Sequence, residues 1–375
     1  MGTPADNLFT SWLEFPANLQ VAYPSAYGAL DIVNITTRIK SVDAIRLIAI
    51  FAVILVHTEP FTSTSMLGTT FDLGLIVNQL ARFAVPCFFV LSGYFWAKKI
   101  DGSASVLAPS CQVARRIFVI LLVWSIFYLL PTNIYDALQH GLLTTVQNNV
   151  ARIWMVPITA IMEGTKTHLW FLIALLWCLA ISAVMLANNM QNGLIALALV
   201  LFGTGLLGNA YADTPIGLHI TFNFRNGPFF GLIFFVTGYL LQRRGPRESW
   251  LGYGLALAAM GSCLQLIEVR TLNALWGSLM NQDFTIGTYF SGVGVALIAL
   301  SGTRLLSAQV FSRIGPLVLG IYAVHVAFVD LLKPLDKQFA GIVLWDCAYP
   351  LLVFFFSMLA ALTLARNRYT RSIVM

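Results

Sequence analysis

Charge is what this chain has least of. Only 10% of its 375 residues are Asp, Glu, Lys or Arg, against about a quarter in soluble domains, while 58% are hydrophobic and the mean hydropathy is +0.79. That excludes a soluble globular protein and leaves a polytopic membrane protein. The net charge of +6 comes without a Lys/Arg-rich stripe interleaved with aromatics, so no nucleic acid partner is expected. Cysteine spacing is equally bare: Cys87, Cys111, Cys178, Cys263 and Cys347 form no CxxC pair and fall mostly in apolar spans. They read as small core residues, with no metal site and no disulfide framework. The first residues, MGTPADNLFTSWLEFPANLQ, lack the basic start and apolar run of a signal peptide. Residues 1–40 are expected to be an N-terminal extension, partly disordered or interfacial. No repeat, low-complexity tract or soluble second domain is present.

What the chain does have is apolar runs. A window of about 20 residues predicts spans near 43–60, 73–97, 115–131, 167–187, 193–211, 226–242, 249–269, 284–303, 313–332 and 342–365. The expected fold class is an all-α polytopic membrane protein of about ten transmembrane helices. Residues 41–366 form its membrane domain, and 367–375 a short cytoplasmic tail. The segment TNIYDALQHGLLTTVQNNVARIWM has a mixed pattern and reads as an interfacial helix. With the N-terminus on the cytoplasmic side, one set of alternate loops holds Arg38, Lys40, Lys98, Lys99, Arg115, Arg116, Arg243, Arg244, Arg247, Arg304, Arg313, Arg366, Arg368 and Arg371. The other holds only Arg152, Lys166, Arg225, Arg270, Lys333 and Lys337. This bias predicts cytoplasmic termini and an even number of spans in the cell inner membrane.

Ionisable residues inside apolar spans are costly and mark function more often than residues in a soluble core do. Arg46 and His57 lie eleven residues apart in the first span, which puts them on nearly the same helix face and roughly 16 Å apart. Arg46 alone reads equally as a snorkelling anchor. His57, deep in the span, reads as a functional residue facing an internal cavity more readily than as a satisfied structural histidine. In the second span Arg82 and Pro86 interrupt an apolar helix that ends in Ser92-Gly93 and two lysines. Pro86 predicts a kink, and Arg82 either a carbonyl-paired structural residue or part of a polar pocket lining. Glu59, two residues past His57, orients that base, touches an acceptor, or is simply an interfacial carboxylate. His168 with Trp170 reads as an aromatic-belt pair or a pocket element. His325, beside Tyr322, lines a pocket or bridges helices. Arg225, with Asn223 and Asn226, reads as a solvated loop end with a lesser claim on an acceptor sugar.

Arg46 followed by ten residues and His57, FFVLSGYF at 88–95, THLWFLIALL at 167–176 and GPLVLGIYAVHV at 315–326 resemble, in order and spacing, the integral-membrane acyltransferase-3 family over residues 41 to 365. The resemblance implies a membrane O-acyltransferase, transferring groups other than aminoacyl groups. It would carry an acyl group, in the first place acetyl, from acyl-CoA on the cytoplasmic side to a hydroxyl of an extracytoplasmic glycan or lipid-linked sugar. It implies His57 as base or acyl relay, assisted by Glu59, and Arg46, Arg115, Arg116 and Arg82 at the donor. Ser92, His168, Trp170, Tyr322 and His325 would line the pocket or acceptor site. The family often carries an RxxR pair entering its third helix. CQVARRIFVI has adjacent Arg115 and Arg116, with Val113 where the earlier arginine would be. Expected partners are acyl-CoA as donor substrate, the carbohydrate acceptor, membrane lipids and glycan assembly proteins; no bound cofactor is expected. The alternative is a proton-coupled transporter or exporter of a small amphiphile using the same His and Arg, although the internal repeats usual for transporters are missing.

Overall fold

The computed structural model describes residues 20–22, 32–34, 39–62, 73–132 and 138–375. Two three-residue strands, β1 (Gln20–Ala22) and β2 (Ile32–Asn34), pair antiparallel with Val21 opposite Val33. They are a small departure from the all-α expectation. The rest of the 1–40 extension lies outside the described residues except for Ile39 and Lys40.

The remaining regular structure is helical. The chain runs through α1 (Lys40–Thr58), α2 (Leu73–Ala81), α3 (Ala84–Asp101), α4 (Leu107–Phe127), α5 (Leu142–Met155), α6 (Pro157–Glu163) and α7 (Trp170–Ala187). It continues through α8 (Gln191–Leu207), α9 (Pro228–Gln242), α10 (Trp250–Trp276), α11 (Ile286–Leu300), α12 (Gln309–Ile314), α13 (Val318–Phe339) and α14 (Val343–Arg366). Among the described residues seven helical stretches are long and apolar enough to cross a membrane: α1, α2–α3, α4, α7 with its leading turn, α10, α12–α13 and α14. The chain is a multi-pass membrane protein. Every one of the ten predicted spans is occupied by a helix, but α8, α9 and α11 have only 17, 15 and 15 residues. At 1.5 Å per residue that is about 22–26 Å, short of a hydrocarbon core of about 30 Å.

Two of those shorter helices, α9 and α11, are packed inside the bundle with more than half of their residues buried, while α8 lies at its edge with Leu199 and Val200 exposed. Close approach is made possible by glycines: a Cβ on Gly93 of α3 would stand 1.9 Å from the Phe235 carbonyl oxygen of α9, and one on Gly238 of α9 would stand 1.9 Å from the Val90 carbonyl oxygen of α3. Gly254 and Gly261 of α10 face Gly294 and Gly287 of α11 in the same manner. This is the small-residue packing that membrane bundles use because lipid gives apolar side chains no reason to leave it.

Helix α1 runs between α3, α11, α13 and α14. At its N-terminal end the Ser41 hydroxyl donates to the Ala299 carbonyl at 2.6 Å, so the start of α1 meets the end of α11. The Arg46 guanidinium lies 5.1 Å from the Phe95 ring centre near the end of α3. Lys98 and Lys99, and Arg304 beyond α11, therefore share the Arg46 end of the bundle, and His57 belongs to the other. The predicted kink is a break: α2 ends at Ala81 and α3 begins at Ala84, with Arg82 and Phe83 in the turn between. Pro86 has no N–H for the Arg82 carbonyl four residues back.

Three further expectations meet the structure. Helix α5 has no buried residue and exposes Trp154, Met155 and Leu143, a surface pattern in keeping with an interfacial helix. Cys87 and Cys178 are buried, but Cys111, Cys263 and Cys347 are exposed rather than in the core, because their helix faces point away from the bundle. Residues 367–375 do not hang free: the Val374 carbonyl accepts from Gly320 N at 3.0 Å, the Ile373 carbonyl from Trp124 Nε1 at 3.1 Å, and Arg116 donates to the Met375 carbonyl.

Candidate functional site

His57 sits one residue before the end of α1. The helix stops there because Pro60 disfavours helical geometry at the preceding residue. Glu59 instead takes a left-handed conformation, φ 44° and ψ 52°. His57 thereby lies in the last turn of α1, half-buried, while Glu59 is exposed beyond it.

Two more imidazoles come up to it from distant sequence. The ring centre of His325, on α13, is 5.1 Å from that of His57, and the ring centre of His168 is 5.3 Å from that of His325. Three of the chain's five histidines thus form one row. His168 occupies a 3-10 turn, Thr167–Leu169, that leads into α7. The turn is tied to α13 by the Tyr322 hydroxyl, which donates to the His168 carbonyl, and Tyr128 of the turn after α4 donates to the Ala323 carbonyl at 2.7 Å.

Hydrogen bonding fixes which nitrogens carry protons. A carbonyl only accepts, so His325 Nδ1, 2.6 Å from the Tyr322 carbonyl oxygen, carries N–H in the neutral ring. His168 Nε2, 3.4 Å from the Ala323 carbonyl oxygen, is protonated by the same logic. The opposite nitrogens, His325 Nε2 and His168 Nδ1, hold lone pairs, and both are buried without a hydrogen-bond partner. An unsatisfied buried acceptor costs about 1–3 kcal/mol. Two side by side make a site built to receive N–H or O–H groups. Among the described residues no set of three or more His, Cys, Asp or Glu is arranged to hold a metal, and the imidazole row is no exception.

The sequence-selected residues divide among this row and its two approaches. Tyr322 and His325 join His57 and His168 directly. On the Arg46 side, Phe88, Ser92 and Phe95 fall at i, i+4 and i+7 on α3 and share a face. Phe95 packs under Arg46, and Phe88 lies 6.2 Å from Phe171, whose ring is 5.6 Å from Tyr322. Half-buried Ser92 therefore lies along the track from Arg46 to the imidazoles. Arg115 is exposed on α4, and half-buried Arg116 is engaged by the Met375 carbonyl.

Arg82 does not join Arg46, Arg115 and Arg116 as its donor-binding assignment expects. The break before α3 leaves it at the opposite end, where its Nη1 pairs with Asp283 Oδ1 at 2.7 Å, Nη2 donates to Asn281 at 2.8 Å and Nε donates to Asn78 at 3.0 Å. Nor is Arg225 a solvated loop end. Its side chain is 17% exposed, pairs with Asp283 at 3.3 Å and with Glu163 at 3.8 Å, and lies 4.9 Å over the Trp170 ring. Asn226, 3% exposed, donates to Glu163 Oε1 at 2.9 Å. Burial pushes the Asp283 carboxyl up, but the Arg225 and Arg82 guanidinia outweigh it and hold the group below the usual carboxylate range. Asn226 was named in the sequence only alongside Arg225, and Glu163 and Asp283 were not singled out, since Glu163 is one polar residue at the end of a short helix and Asp283 one in an interhelical segment. The available signal was their position: each lies a few residues before a helix start, at the same end of the bundle.

The sequence pattern of a family described as an acyltransferase domain matches residues 39–365. An amino-acid racemase of Enterococcus faecalis is 26% identical over 212 residues, 53% of this chain and 27% of that protein. A serine/alanine racemase of Enterococcus gallinarum is 26% identical over 220 residues, 56% of this chain and 30% of that one. The chain thus spans under a third of the length of these curated relatives. No solved structure matches it.

Proposed function

The chain belongs to the acyltransferase-3 family, and on that premise we propose that it moves an acyl group, in the first place acetyl, from acyl-CoA at the cytoplasmic face of the inner membrane to a hydroxyl of an extracytoplasmic glycan or lipid-linked sugar. Residues 41–366 are the transmembrane acyltransferase domain, its ten helices all crossing. The observation that carries this reading is the row of three imidazoles inside the membrane bundle, two of them with buried lone pairs. Arg46 stands about three turns away on the same helix as the first.

Coenzyme A has phosphates at one end and the thioester at the end of a long flexible arm. Cations are needed at the rim and a base inside. Arg46, with Arg115 and Arg116, meets the phosphates, and the arm runs along the Phe95–Ser92–Phe88 face of α3. His57 takes the proton of the acceptor hydroxyl as its oxygen bonds to the acyl carbon. The carbon–sulfur bond breaks with its electron pair on sulfur, and the thiolate recovers the proton from His57. In the variant with His57 as nucleophile, the acyl group rests on the imidazole between two half-reactions.

The test uses one purified His57→Ala sample in detergent. Transfer is expected to fall by about 10²–10⁴-fold, the usual contribution of a general base, with acetyl-CoA affinity and melting temperature close to wild type. Near-wild-type turnover would sink the proposal. Mass spectrometry of wild type quenched with donor alone separates the base from the acyl-imidazole route.

A further inference from the structure

Beyond the imidazole row, at the end of the bundle away from Arg46, lies a chain of alternating charges: Glu163, Arg225, Asp283 and Arg82. All four side chains are 13–21% exposed, and each is paired with the next. Arg225 in this chain and Asn226, its neighbour in sequence, hold polar atoms that are buried and unpartnered: Arg225 Nε, a donor, and Asn226 Oδ1, an acceptor. The rest of both side chains is fixed, Arg225 by Asp283, Glu163 and the Trp170 ring, and Asn226 by its bond to Glu163. The two atoms are held ready, one to give and one to take.

We infer that this cluster is the acceptor-recognition site, and that it binds the uncharged, hydroxyl-bearing face of a sugar through Arg225 Nε and Asn226 Oδ1. The inference rests on the acyl-transfer reading and deepens it. Its chemistry follows from what satisfies both atoms. A carboxylate or phosphate oxygen would accept from Arg225 but set lone pair against lone pair at Asn226. An ammonium would donate to Asn226 and be repelled by Arg225. A hydroxyl gives one and takes one, and neighbouring hydroxyls on a ring suit planar guanidinium and amide groups. The formal charges cancel, two guanidinia against two carboxylates, so no net charge draws an ion in. A zwitterionic amino acid would also satisfy both atoms, but only by desolvating two full charges beside pairs that are already made. Location fits as well. Trp170, under Arg225, follows His168 by two residues and so links the cluster to the imidazole row.

The experiment measures radiolabelled acetyl transfer from acetyl-CoA by the full chain in detergent. The acceptors are methyl glucoside, methyl mannoside and methyl N-acetylglucosaminide, with methyl glucuronide, methyl glucosaminide and L-serine as charged counterparts. Expected are products from a neutral glycoside in preference to the charged probes. In Asn226→Leu and in Arg225→Lys, which keeps the charge but loses the Nε geometry, its KM should rise at least tenfold while the KM for acetyl-CoA stays within twofold. Melting temperatures identify a variant that has lost its fold, in which case the other variant decides. Preference for a charged glycoside or for L-serine, an unmoved acceptor KM in a folded variant, or no product from any neutral glycoside would each overturn the inference. Acetyl-CoA binding by calorimetry separates the two levels: binding without neutral-glycoside transfer overturns the acceptor site alone, and loss of binding overturns the acyltransferase reading beneath it.

Discussion

His325 is the most sharply specified residue of the site. With its Nδ1 proton committed to the Tyr322 carbonyl, Nε2 is left to accept an N–H from His57, whose ring is 5.1 Å away by centres. Such a bond would leave the other His57 nitrogen as the base. His325→Leu should therefore lower kcat by about 10²-fold, the low end of a general base's contribution, with acetyl-CoA affinity unchanged. His325→Gln, which keeps an acceptor near the Nε2 position, should recover most of that loss. Stability discriminates between roles. Leu removes the unpartnered Nε2 but also the Nδ1 bond to the Tyr322 carbonyl, whose net worth is about 1 kcal/mol, so the Leu variant should melt close to wild type. A clear drop in melting temperature, with Gln no better than Leu, would make His325 a structural helix bridge. Much at this scale was legible in the sequence: His57, His168, Tyr322 and His325 were each selected, because an imidazole or phenol in an apolar span is conspicuous. Their union was not, since contacts across 154 and more residues leave no periodic trace. Arg82 was conspicuous too, but its end of the bundle depended on a helix break that Pro86 signals only loosely.

At the scale of elements, the apolar runs announced the helices and the glycines set how close they come. The short α9 shows why hydropathy alone misjudges length: its flanks are polar, yet its interior is wrapped by α3, α7 and α8, so it is held by protein rather than by its own span. The seam between α3 and α9 leaves no room for a methyl at Gly93, where the Phe235 carbonyl oxygen would be 1.9 Å away, whereas Gly252 on α10 has nothing within 4 Å. The same substitution should therefore act with opposite sign at the two places. Gly93→Ala forces backbones apart and should cost about 1–3 kcal/mol or more, as overpacking does. Gly252→Ala should be neutral or stabilise by roughly 0.5–1 kcal/mol through helix propensity. Melting temperatures of the two variants in detergent provide the comparison, and equal effects would mean that the α3–α9 contact is looser than its geometry.

On the whole-molecule scale the two ends of the bundle differ in kind. The Arg46 end gathers lysines and arginines in short loops, and the His57 end gathers Arg82, Arg225 and Lys166 into pairs with Asp283, Glu163 and Asp330. If all ten helices cross, as proposed, the start of α1 and the end of α14 lie on one side, and the proposed transfer has donor phosphates reaching Arg46 from the cytoplasm and the acceptor reaching His57 from without. On a cysteine-free background, Arg247→Cys should resist a membrane-impermeant maleimide in intact cells and react once the membrane is opened, while Lys337→Cys, at the end of α13, should react in intact cells. Labelling of position 247 from outside would invert the molecule and, with it, the direction of the proposed transfer. If position 337 labelled only after opening, α13 would end on the same side as the α9–α10 loop. One of the helices α10, α11 or α13 would then fail to cross, and α11, at 15 residues, is the one whose length makes that outcome physically possible.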